Sequence, residues 1–262
     1  MSIEEFTIAL FCRVDDVMKH EPRHPRALLA PSEVVTLALL FVFKGVSSRR
    51  FHAWVAANLG HLFPHLPERS RLLRLFATHR DWADAFLVPI TPETFCDSLG
   101  IELVHPRREG RSDRQIGTKG LSNRRWIVGV KVAPILSDAG LVVDWQWRPA
   151  NEHDQHFRAM IARHEDSSVK TDTGFHGKEG DPSNLWICRR GEHPERMLIE
   201  SVFSQWVGIL GIKHLRARSE AGIEAFLCFA IALFNLLATW EGTPQRQEGK
   251  VMPSIRIARF VI

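Results

Sequence analysis

A chain of 262 residues with 45% hydrophobic and 24% charged residues carries enough apolar content for a packed core, which excludes a disordered or fibrous chain. The formal charge of +4 and a pI of about 9.1 form a mild basic excess, compatible with a nucleic-acid partner but common among soluble proteins. No tyrosine occurs in the chain, so recombinases and relaxases that use a tyrosine nucleophile are excluded.

Residues 1–88 read as helical, a candidate DNA-end-binding region. Pro31-Ser32 marks a helix start with Ser32 as the cap and Glu33 at the positive helix end. Val34 to Phe43 continues to Lys44-Gly45, a basic last turn and a glycine stop. Phe51, Trp54, Val55 and Leu59 share one face of a second helix, and a third spans roughly Arg69 to Phe86. Arg49, Arg50, Arg69, Arg71, Arg74 and Arg80 fit solvated helix faces and a DNA-contacting domain equally well.

After Pro89 and Pro92 the pattern changes. Thr94 to Val104 reads as a strand, followed by a Gly-, Ser- and Arg-rich loop from His105 to Arg125. Trp126 to Leu136 and Leu141 to Trp147 form a hairpin across the turn Ser137-Asp138-Ala139-Gly140. A helix from His153 to His164 precedes short strands at Val169–Thr173 and Leu185–Cys188, and helix resumes from Pro194. The first three strands suit an antiparallel meander, and the helical crossover lets the fourth join in parallel. The predicted class is α/β, a ribonuclease H-like mixed sheet with flanking helices behind the helical N-terminal region. The catalytic domain is expected over 89–242 and a tail over 243–262.

Cys12, Cys96, Cys188 and Cys228 include no C-x-x-C spacing, so neither a zinc ribbon nor a disulfide framework is expected, and the pattern suits a reducing cytoplasm. The opening MSIEEFTIAL lacks the features of a signal peptide. Ala225 to Leu237, which contains Asn235, is short for a bilayer span and reads as a buried core helix. A cytoplasmic protein with no membrane partner is expected.

Two-metal phosphoryl transfer requires carboxylates converging on hard cations. Asp97 interrupts an apolar strand between Phe95 and Leu99, where an unpaired charge is costly unless something binds it; a turn-capping aspartate is the alternative. Asp172 ends a strand just before Gly174, where ordinary turn chemistry competes. Glu200 neighbours the apolar Leu198, Phe203 and Val207 on a helix and could equally be a boundary residue. Asp144 competes with Asp97 for the first position, Asp138 reads as a turn residue, and Asn151 and Asp154 read as helix caps. His153 and His156 have metal-ligand spacing but no third ligand nearby, which favours a surface helix.

These residues carry a resemblance. FCDSLGIELV, NRRWIVGVKVAPILSDAGLVVDW, RPANEHDQHF, TDTGF, RMLIESVF and FLCFAIALFNLL, in that order, resemble bacterial insertion-sequence transposases of the DDE type, closest to the group numbered nine-eight-two. Thr173 and Phe175 stand where that family usually has Lys and Tyr, and Asp172 and Glu200 are closely spaced. The resemblance implies a DNA transposase in which Asp97, Asp172 and Glu200 hold two Mg²⁺ ions, with Mn²⁺ able to substitute. Arg196, one turn before Glu200, would contact a phosphate. Arg107, Arg108, Arg111, Arg114, Lys119, Arg124 and Arg125 are well placed to carry DNA phosphates, and Lys213, His214, Arg216 and Arg218 form a second basic run. Double-stranded DNA, as element ends and target, is the expected partner, with a homodimer or larger assembly at synapsis. A catalytically defective DNA-binding remnant and a nuclease of the same fold are the alternatives.

Overall fold

The computed structural model describes residues 2–122, 125–178, 180–188, 196–215, 217 and 219–244, and for Arg196 and His214 the backbone alone. These fall into two compact units, 2–86 with 215–237, and 87–214 with 238–244.

The first unit is helical: α1 (Ile3–Met18), α2 (Pro31–Lys44), α3 (Ser48–Asn58), α4 (Arg69–Thr78), a 3-10 segment (Arg80–Phe86) and, from the far end of the chain, α7 (Glu220–Ala238). A capping box starts α1: Glu5 donates its amide to the Ser2 hydroxyl, and the Ser2 amide donates to the Glu5 carboxylate. Phe6, Leu10, Val14 and Met18 then recur every four residues and are buried. α2 begins two residues earlier than a Ser32 cap implies. Pro31 takes the first helical position, where its missing amide costs nothing, and Ala30 precedes it as the cap. Ser32 therefore lies inside the first turn and donates its hydroxyl to Asp15, while the Glu33 carboxylate accepts the Ala30 amide. Gly45 stops the helix in the left-handed region, at φ 57°.

α7 is long and apolar enough to cross a membrane by length and composition, yet 78% of its apolar window is buried inside the protein. Asn235, within it, donates its side-chain amide to the Phe86 carbonyl at 3.0 Å. By its contacts, residues 220–237 of this helix group with the N-terminal helices.

The second unit carries β1 (Glu93–Cys96), β2 (Leu99–Val104), β3 (Thr118–Ser122), β4 (Arg125–Ser137), β5 (Val142–Pro149), α5 (Arg158–Ala162), β6 (Ser168–Thr171), β7 (Leu185–Ile187) and α6 (Arg196–Gly208). The seven strands form one mixed sheet organised on β4. β1 and β2 both pair antiparallel with β4 in a single register, and β3 and β5 pair antiparallel along its other edge. β6 joins β1 in parallel and β7 joins β6 in parallel. The strand expected over Thr94–Val104 is thus broken in two at Asp97 and Ser98.

The expected loop from His105 to Arg125 contains β3, which its glycine and polar residues concealed. The expected helix over His153–His164 is a 3-10 turn, Asp154–Phe157, running into the short α5. Phe157, Met160 and Ile161 from that segment cover one sheet face, packing with Cys96, Ala133, Ile135, Val143, Val169 and Leu185. Buried apolar area of this kind contributes roughly 25 cal/mol per Å² and fixes the strands that position the site.

Candidate active site

The break in β1 positions the first carboxylate. Carried through the gap, the register of β1 and β2 on β4 sets Asp97 opposite Pro134 and Ser98 opposite Ala133. Proline has no amide to give to the ladder, and the pairing lapses at that level. The Ser98 amide turns instead to the Asp97 carboxylate, donating to Oδ1 at 2.7 Å.

Asp172 directly follows β6. The parallel register pairs Glu93 with Ser168, Thr94 with Val169 and Phe95 with Lys170. Continued two residues past its last pair, that register would bring Asp97 level with Asp172, just beyond the ends of β1 and β6. Both are half-buried. Asp172 caps the 3-10 turn Thr173–Phe175, its Oδ1 accepting the Gly174 amide at 2.8 Å. Turn chemistry and a site role coincide in this residue.

Asp154 lies near Asp172, and its role differs from the expected helix cap. Its Oδ1 accepts from Lys131 Nζ at 3.0 Å, and Lys131 also donates to the Glu152 carbonyl at 3.0 Å. A Cβ built on Gly174 would lie 3.0 Å from Asp172 Oδ1 and 3.3 Å from Asp154 Oδ2, so both carboxylates face one point. The 3-10 turn is capped by His153, without a side-chain bond. Asn151 instead accepts from the Thr118 hydroxyl at 2.6 Å and ties the end of β5 to β3. A lysine in the middle of the apolar run WIVGVKVAPIL was the available sequence signal for this pair, of the same kind as Asp97 itself.

Cys96, buried at the end of β1, feels these carboxylates. Burial pushes its thiol well above the ordinary range, and Asp97, Asp154, Asp144 and Asp172 push it further. It is held protonated and inert.

Asp144, the competitor for the first position, is engaged elsewhere. Its Oδ2 lies 2.9 Å from Arg163 and 2.8 Å from His164 Nε2, and its Oδ1 accepts the Trp145 amide at 2.7 Å. Glu200 lies on the exposed face of α6, whose Leu198, Ile199, Val202 and Trp206 are buried. Among the described residues, no group of three or more His, Cys, Asp or Glu side chains is arranged to hold a metal ion as it stands.

The basic loop divides. Arg107, Arg108, Arg111 and Arg114 are exposed, whereas Lys119 is paired with Glu109 at 3.1 Å and Arg125 with Glu102 at 2.6 Å. Arg124, Arg216, Arg218 and the tail from 245 lie outside the described residues, as do the side chains of Arg196 and His214. In the helical unit Arg80 is an ion-pair partner of Glu224 at 2.9 Å, and Arg49, Arg50, Arg71 and Arg74 are exposed.

No family model matches the chain, and no curated protein matches it. The chemistry of the site therefore rests on its own residues. Asp97 and Asp172 offer hard oxygen ligands, each oriented by a backbone amide, a donor set that fits Mg²⁺ or Mn²⁺ rather than a soft metal.

Proposed function

We propose that this chain is a metal-dependent DNA transposase with a ribonuclease H-like catalytic unit, in which Asp97, Asp172 and Glu200 hold two Mg²⁺ ions. The observation that carries the reading is that Asp97 and Asp172 each directly follow one of two strands, β1 and β6, that pair in parallel. The sheet path β5-β4-β1-β6-β7, with β4 alone running against the other four, supports the ribonuclease H-like topology. The ordered sequence resemblance supplies the transposase.

The proposed reaction is hydrolysis at an element end, followed by attack of the freed 3′-OH on target DNA. When bound, the ions activate the attacking water and stabilise the leaving oxygen. The chain's own residues bind and orient. Ser98 and Gly174 amides aim the two aspartates, and Lys131 neutralises Asp154 beside them. Exposed Arg107, Arg108, Arg111 and Arg114 match a phosphate backbone. The resemblance adds Glu200, exposed on α6, with Arg196 one turn before it.

One observation favours a second reading, a DNA-binding protein that has lost catalysis: Thr173 and Phe175 stand where the resembled family usually has Lys and Tyr. Incubation with DNA carrying the terminal repeats that flank the gene, in Mg²⁺ or Mn²⁺, separates the two. The transposase nicks, and Asp97→Asn or Asp172→Asn lowers nicking by about a hundredfold or more. Binding without any metal-dependent nicking leaves the second reading.

A further inference from the structure

A cavity of about 820 Å³ opens between the turn Asp154–Phe157 and the segment after Asp172, and His153, His156, Arg158, His176 and Lys178 contribute to its wall. Among the described residues, the remaining lining adds Gln155, Thr173 and Gly174 and no carboxylate. Imidazole, guanidinium, ammonium, amide and hydroxyl groups all donate hydrogen bonds. A wall whose described residues include three imidazoles, a guanidinium and an ammonium suits a ligand rich in acceptors, and an ionised phosphodiester is such a ligand.

Part of this wall is built in place. Asp181 Oδ2 lies 2.6 Å from His176 Nδ1, and its Oδ1 takes the Gly177 amide at 2.9 Å and faces Arg158 at 3.4 Å. Arg158 also donates to the Gly180 carbonyl. Its guanidinium lies where a Cβ on residue 177 would sit, so Gly177 leaves the space it occupies. His153, His156 and Lys178 are exposed and face whatever enters. The volume exceeds what a single phosphate fills and is within the range for a nucleotide-sized occupant.

The location gives the pocket its meaning. Gly174 lines the cavity and also lies against Asp172 Oδ1 and Asp154 Oδ2. A chain of phosphates held by the donors would run past Gly174 directly onto the carboxylates. We infer that this cavity holds the sugar–phosphate backbone of the DNA strand being processed, next to the scissile phosphate. This inference rests on the DNA-processing reading and adds a strand-binding surface distinct from the arginine loop at 107–114.

The test is fluorescence anisotropy with a short fluorescein-labelled single-stranded thymidylate oligonucleotide, in Ca²⁺ to support binding without cleavage. The combined variant His153→Ala, His156→Ala, Lys178→Ala removes exposed side chains only, and its thermal melt checks the fold. The expected result is about tenfold weaker binding with a shallower dependence on salt and an unchanged melt. Binding within about twofold of the wild type, or no binding by the wild type, overturns the inference. The nicking assay separates the two claims. Nicking that needs Asp97, together with unchanged oligonucleotide binding by the variant, removes the pocket alone. Pocket-dependent binding without nicking removes the catalytic reading alone.

Discussion

At Asp181 three donors converge on one carboxylate: the Gly177 amide, the His176 ring and the Arg158 guanidinium, and together they hold its pKa below the ordinary value. The fold thus favours the charged form. Its contribution to stability is complete above the unfolded-state value of about 3.9 and fades as pH falls through the lower folded-state value. Asp181→Asn is expected to unfold at lower urea than the wild type near neutral pH. Below the carboxylate range that gap should close; a gap that persists unchanged at low pH contradicts the assignment. Asp97 and Asp172 follow a different logic. Each accepts the amide of a residue one or two positions on in the chain, which orients that oxygen locally.

Among the elements, β1 shows why the site was only partly legible. Asp97 stood out in the sequence because it interrupts an apolar run, and the resemblance pointed to it too. What the sequence did not expose is that Pro134, far along the chain, lies opposite it and coincides with the lapse in the ladder. Asp154 and Lys131 escaped for a similar reason, since their pairing joins β4 to a turn after β5 and no local spacing encodes it. β3 was hidden because Thr118 to Ser122 lacks apolar alternation and has Thr118 as its one β-branched residue; it pairs with Arg125 to Gly129 of β4. Periodic, strongly apolar elements such as α2, β4 and α7 were plain from the sequence. In α7 the polar interruption is structural: Asn235 supplies a donor to the Phe86 carbonyl, which ends a 3-10 segment. Asn235→Leu should destabilise the protein by about 1–3 kcal/mol, the cost of orphaning a buried carbonyl, measured by urea unfolding. A neutral substitution would mean that the bond contributes little.

For the molecule as a whole, charge is divided by function. The carboxylates gather where β1 and β6 end, and donors line the adjoining cavity. Exposed arginines mark the loop before β3. A mixed sheet with helices on its flanks holds these features in register, and the helical unit, α7 included, buries the most apolar stretch of the chain. The central claim is that Asp97 and Asp172, which directly follow the parallel strands β1 and β6, bind a hard divalent cation together. Calorimetric titration with Mn²⁺, comparing the wild type with Asp97→Asn and Asp172→Asn, tests it most directly. The expected result is saturable Mn²⁺ binding in the wild type, weakened about tenfold or more in each variant. Undiminished binding in both variants, or none in the wild type with DNA present, would contradict the account.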